Sequence, residues 1–330
     1  SKLDNILQMY QYSNCDNKYI KDVIEEGNDY MFSEIHSKFM IVNLVHYINM
    51  ESNSKKTKQY VEEMEKLVPQ YEMIDQQLIY DYLACYYMNI DNSKALKLFE
   101  KALKCGEFKR VSTMLYYHLG IFYLNTNNCC LSIFYNNKSI KLFANELNFK
   151  RLFYAKQHVA IAFMKNKDYD LAEELCKDLL GDITISENQT KEIYSNISWA
   201  LINQEKYAEA LEYALKCEAN NSEYFYHLSI IYLKLNDINE ANNIINKGLQ
   251  YYKKNEYQSM RMNIMNKIVN KQNRNNEFLA LLKNAEKIMG NWGSNEDLEF
   301  VYYLFVDFYE EKFMYKEALK YNKKLLKIIN

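Results

Sequence analysis

The chain of 330 residues has little of what breaks secondary structure: 7 Gly and 1 Pro. A strand-rich fold of this length needs many more tight turns than those residues can supply. It also lacks an excess of charge. With 41 Lys and Arg against 43 Asp and Glu, the formal net charge is −2, so nothing drives the whole chain onto nucleic acid or an anionic membrane. No apolar run approaches the ~18 residues that span a bilayer, and the opening Ser1-Lys2-Leu3-Asp4 lacks the layout of a signal peptide. The seven cysteines, an odd number, show no CxxC spacing, which argues against a zinc framework or disulfide scaffold and for reduced thiols in a cytosolic protein. The sequence contains no GxxxxGK[ST], GxSxG, HExxH or GxGxxG motif, so no cofactor and no enzymatic chemistry is expected.

What is present is apolar and aromatic: 48% hydrophobic residues and 15% aromatics, with 31 Tyr. Such a chain can bury a core, and its class is all-α. A repeat runs through it. Aligned on a small residue, Thr57, Ala95, Ser132, Ala172, Ala210, Ala241, Ala280 and Ala318 follow one another at spacings of 38, 37, 40, 38, 31, 39 and 38. Nine residues before the small residue stand Ile48, Tyr86, Tyr123, Phe163, Leu201, Tyr232 and Tyr309; thirteen before stand Leu44, Tyr82, Leu119, Val159, Ile197, Leu228 and Phe305. Positions four apart share a helix face, so each unit opens on a helix with an apolar seam. The small residue belongs where a second helix crosses the first closely. The unit around Ala280 departs from the pattern, with Lys271 and Lys267 at the seam positions. Asn-rich turns such as Asn125–Asn128 stand in for Gly, because Asn tolerates the left-handed conformation. Gly290–Ser294 is expected to join two helices, with Ser294 or Asn295 as an N-cap.

Fourteen residues before each small residue lies a row of Asn43, Asp81, His118, His158, Asn196, His227 and Asn266, then Leu304. Three of the five histidines fall on it. They are not expected to share a metal ion, since each sits in a different repeat.

Leu119-Gly120-Ile121-Phe122-Tyr123 and the small residues resemble the tetratricopeptide repeat over residues 38–330. That resemblance implies a right-handed α-solenoid of helical hairpins; residues 1–37, which carry no clear repeat signature, are expected to form two or three further helices before it. It also implies that the row projects into a concave groove, beside Tyr80, Tyr117, Ile161, Lys165, Trp199, Tyr226, Ile230 and Lys234. An Asn amide both donates and accepts, so it can hold the N–H and C=O of one residue of an extended peptide. A ladder of such groups binds a backbone whatever its sequence, while aromatic pockets select side chains.

Asn43, Asn196 and Asn266 on this row, in a Lys/Asn/Tyr-rich repeat array, resemble the RRNPP peptide-pheromone receptors (Rap, Rgg, NprR, PlcR and PrgX). The resemblance implies a cytoplasmic sensor that binds a short oligopeptide, forms homodimers and acts on transcription. Asp81, His118, His158 and His227 depart from the usual Asn. Ile24-Glu25-Glu26-Gly27 resembles the end of a recognition helix with too few residues before it, so contact with DNA is expected only through a helix-turn-helix domain outside this chain. The alternative is a scaffold that docks a protein partner such as a response regulator. Self-association is expected through the last repeat, where Leu304 interrupts the row beside Tyr302, Tyr303, Phe305, Phe308 and Phe313.

Overall fold

The protein's structure, a computed structural model, describes residues 2–12, 15–27, 36–88, 90–181, 185–218, 222–292 and 295–329. Among the described residues there are helices and turns but no strand. Contacts divide the chain into two units, Ser1–Ile185 and Ser186–Asn330.

The first unit opens with α1 (Lys2–Tyr12) and α2 (Asn17–Gly27). Four hairpins follow: α3 (His36–Met50) with α4 (Lys55–Leu67), α5 (Met73–Tyr87) with α6 (Asn92–Lys104), α7 (Lys109–Asn125) with α8 (Cys129–Asn145), and α9 (Phe149–Lys165) with α10 (Tyr169–Leu180). The single proline, Pro69, opens a short 3-10 turn after α4. The second unit holds α11 (Glu187–Asn203), α12 (Tyr207–Lys216), α13 (Tyr224–Lys234), α14 (Ile238–Tyr251), α15 (Glu256–Val269), α16 (Asn276–Trp292), α17 (Asn295–Glu311) and α18 (Tyr315–Ile329). Gly293 and Ser294, part of the expected joining loop, lie outside the described residues. No helix among the described residues is long and apolar enough to cross a membrane.

Asn, Asp and Ser start the helices. Ser54, Asp91, Asn128, Asn148, Asp237 and Asn255 each accept the third backbone N–H of the helix they precede. Ser186 and Gln189 form a full capping box ahead of α11. Each such cap satisfies a donor that the helix leaves open and is worth about 1 kcal/mol.

The small residues sit where the hairpin helices cross. Thr57, Ala95, Ser132, Ala172, Ala210 and Ala241 are fully buried. Ser132 Oγ donates to the carbonyl of Gly120 on the facing helix at 2.8 Å. A Cβ on Gly120 would stand only 2.4–2.6 Å from the amide group of Asn136. Gly120 is therefore the residue that lets α7 and α8 approach.

The hairpin turns repeat one backbone device, a single left-handed residue: Asn127, Lys167, Glu205, Asn236, Lys271 and Phe313 all have φ between 54° and 65°. Asn fills this position only twice. Elsewhere Lys, Glu and Phe carry the strain, held by helix-end bonds such as Asp168 N–H to Phe163 O at 2.9 Å, the pattern of a Schellman cap.

These turns correct the register of one repeat. The row residue lies nine positions before the left-handed residue at His118, His158, Asn196, His227 and Leu304. Counted the same way from Lys271, it is Met262 and not Asn266. The turn there is longer, since the cap is Asn275, which accepts from the N–H of Phe278 at 2.8 Å. Ala280 consequently faces solvent, and Phe278 and Leu282 take the buried face of α16.

Candidate functional site

In the first unit α3, α5, α7 and α9 each pack on the next, whereas the second helices pack on first helices, α8 on both α7 and α9, and not appreciably on one another. In a two-layer array, the layer whose members touch one another is the tighter, inner arc. The inner layer of the second unit includes α11, α13 and α15 by the same criterion.

The row lies on these layers but is not uniformly open. Asn43 is buried; its Nδ2 donates to Tyr60 Oη at 3.3 Å, and its Oδ1 has no hydrogen-bond partner among the described residues. Asp81 is buried, and its two oxygens stand 2.9 and 3.0 Å from Nδ1 of His118. Tyr117, also buried, packs against the ring of His158 at 5.4 Å. The guanidinium of Arg151 lies 5.2 Å from Tyr117's ring centre. Burial first, and then Arg151, bring His158 down to about 4, so it is a neutral imidazole at pH 7.

The end of α1 reaches these residues. Arg151 donates to the carbonyls of Tyr10 (3.0 Å) and Gln11 (3.2 Å), and Asn148 Nδ2 also donates to Gln11 O (3.3 Å). The hydroxyl of Tyr10 shares a 2.7 Å hydrogen bond with Nδ1 of His46 on α3. Tyr10 thus spans from α3 to α9, and α1 closes over part of the first unit's inner face.

The second unit leaves its row more accessible. Asn196 on α11 is half-buried and makes no hydrogen bond among the described residues. Trp199, one turn along the same helix, stacks on His227 with ring centres 5.1 Å apart and planes at 15°. The Tyr226 ring centre is 6.4 Å from that of Trp199, and the guanidinium of Arg261 lies over the Tyr226 ring, 3.7 Å from its centre. Arg261 is itself buried; its Nη1 reaches Glu223 at 2.7 Å and its Nε lies 3.3 Å from Asp297. Tyr257 donates its hydroxyl to Asp297. Burial holds His227 at about 4, with Glu223 opposing and Arg261 reinforcing the shift.

The remaining candidates stand apart. Lys165 Nζ donates to Asn127 Oδ1 at 3.1 Å in the first unit, and Lys234 is exposed, 5.9 Å from the ring of Tyr207. Asn266 accepts from Asn270 Nδ2 at 2.7 Å along its own helix. The reasoning from sequence missed Arg151 and Arg261. A signal was there: of 41 basic residues only Arg110, Arg151, Arg261 and Arg274 are arginine. A planar, always-charged group is chosen over Lys where it must stack and donate in fixed directions.

These features define an all-α helical-repeat fold, and solved structures share it over nearly the whole chain. The apo quorum sensor NprR from B. thuringiensis superposes with a TM-score of 0.79 at 18% identity, covering 100% of this chain and 98% of that one. A Rap protein complexed with Competence and Sporulation Factor gives 0.75 at 12% identity, covering 99% and 96%. Aspartyl phosphate phosphatase F from Bacillus subtilis gives 0.65 at 15%, covering 99% and 92%. No protein-family model matches the sequence, and no curated protein matches it. The resemblance drawn from the sequence to the sensor region of NprR and Rap proteins holds at the level of the fold.

Proposed function

We propose that this chain is the sensing region of a cytoplasmic, peptide-responsive regulator of the RRNPP type, and that a short oligopeptide lies along the inner layer of the second unit. Asn196 carries the reading. It is a half-buried amide with no hydrogen bond among the described residues, one turn from the Trp199–His227 stack. A free donor–acceptor pair beside an aromatic shelf is what an extended backbone with one apolar side chain requires. The fold supports the reading too, since a Rap protein of this fold is complexed with Competence and Sporulation Factor. Any effect on DNA would pass through a helix-turn-helix domain supplied outside these residues.

The test is a screen of mixed-sequence peptides of five to eight residues, roughly the length that an inner arc of three helices can span, followed by titration of the best binder. Asn196→Ala should weaken binding about five- to 150-fold, the equivalent of roughly 1–3 kcal/mol, and leave the melting temperature unchanged. Affinity that survives the substitution removes Asn196 from the site. If no peptide binds and a response regulator does, the docking-scaffold reading takes its place; the name of aspartyl phosphate phosphatase F, a protein of this fold, is what keeps that reading in view.

A further inference from the structure

Asp81 and Cys85 stand one helical turn apart on α5, so both project from the same face. His118 arrives from α7, the next inner helix. One carboxylate oxygen, the Cys85 Sγ and one ring nitrogen of His118 all lie within 4.8 Å of one another. No other set of three such side chains gathers this closely among the described residues. The cluster is independent of the peptide reading, which rests on the second unit.

Two features of the cluster exceed what core packing needs. Asp81 is fully buried, and the hydrogen bond that meets its carboxylate comes from His118 alone among the described residues. A buried carboxylate with a single hydrogen-bonding side chain is poorly compensated, and a cation is the strongest available compensation. Cys85 is a free thiol, only partly buried, in the same layer. It adds a soft donor where Ala or Val would fill the space.

The geometry points to a site for a thiophilic divalent ion of the zinc class, held by Asp81, Cys85 and His118 with a fourth position open. Metal–ligand bonds of about 2.0–2.3 Å place the donor atoms of a tetrahedral site roughly 3.3–3.8 Å apart. Asp81 and His118 already approach to 2.9 Å, so they separate slightly while the thiol closes in by side-chain rotation. The ion takes the place between Asp81 and His118 that the Nδ1 proton holds, His118 keeps that proton on Nε2 as the other tautomer, and the thiol proton of Cys85 leaves to solvent. One O, one N and one S donor favour zinc, cobalt or cadmium over magnesium or calcium. Bound there, the ion would tie α5 to α7 across consecutive hairpins.

The test titrates the whole reduced chain with Co²⁺, which reports thiolate ligation by a near-ultraviolet charge-transfer band and four-coordination by intense visible bands. A single equivalent of Co²⁺ should develop both, and Zn²⁺ should bleach them. Cys85→Ser should abolish the charge-transfer band, while Cys130→Ser, at an exposed cysteine elsewhere in the unit, should leave it intact. His118→Gln should weaken Zn²⁺ binding at least about tenfold. Should Cys85→Ser fail to fold, the wild-type bands and His118→Gln still decide. Absence of the thiolate band in the wild type, or its survival in Cys85→Ser or at full affinity in His118→Gln, would overturn the site.

Discussion

Gly120 and Asn136 show how closely the repeat is specified at single positions. A methyl group on Gly120 would run into the Asn136 amide, and Asn136 is itself buried, donating to Ser132 O at 3.0 Å. Gly120→Ala should cost roughly 1–3 kcal/mol by overpacking, and adding Asn136→Ala should recover part of it, as a double-mutant cycle in urea would measure. Independent effects of the two changes would mean that the crossing is not set by this pair. Glu205 illustrates the opposite case, an exposed residue at φ 60° whose side chain contributes strain and little packing. Glu205→Gly should stabilise the chain by roughly 0.5–1 kcal/mol, seen as a higher urea midpoint. The buried histidines set a pH dependence. His158 and His227 titrate near 4 when folded, against about 6.5 unfolded. Between those values the unfolded chain binds protons that the folded one refuses, so stability falls as pH drops from about 6.5 towards 4. At pH 5 the loss is about 2 kcal/mol per histidine. His227→Gln and His158→Gln should flatten that slope, and a slope unaltered in both variants would place the titration elsewhere.

At the scale of elements, α1 is the unexpected part. Its last carbonyls lack intrahelical donors, as at any helix end, and Arg151 and Asn148 supply them from the N-terminal end of α9. Glu146 adds a bond from Gln11 Nε2 at 3.1 Å, and Lys38 on α3 pairs with Asp4. This clasp encloses Tyr10, which is buried. Arg151→Ala should raise amide hydrogen exchange in α1 well above that in α11, whose row does not depend on it. Lys at 151 should not restore protection, because one ammonium cannot donate to two carbonyls in the guanidinium's fixed geometry. Unchanged exchange in α1 would show that its apolar face, with Leu3, Ile6 and Tyr10 buried, holds it unaided.

For the molecule as a whole, the last hairpin divides the aromatic cluster that the sequence suggested as an interface. Tyr302, Phe305 and Phe308 are core, with Phe305 stacked on Tyr321 at 3.9 Å. Phe313 is 77% exposed, with Tyr315 and Leu319 exposed beside it. Pairing of two copies through this face would bring Lys316, Lys320, Lys323 and Lys327 of α18 against like charges, so self-association should strengthen as salt screens them. Sedimentation at roughly tens of micromolar in low and high salt checks this. A monomer under both conditions, or a dimer indifferent to Leu319→Lys, would remove the face as an interface.

The fold class, the hairpin period and the buried small positions other than Ala280 followed from the sequence alone. They depend on local spacing: the helical repeat places residues four apart on one face, and a close crossing admits only Thr, Ser, Gly or Ala. The row residues at His118, His158, Asn196 and His227 were legible for the same reason. The register near Asn266 was not, because a longer turn after Lys271 shifts the count, and only the backbone shows where the left-handed residue falls. Nor could sequence spacing show that Asn43 and Asp81 are buried, that α1 folds back to Arg151, or that Asp81, Cys85 and His118 meet. Those outcomes join residues up to 141 positions apart, and contacts at such distances are decided by how layers pack, which no local period encodes.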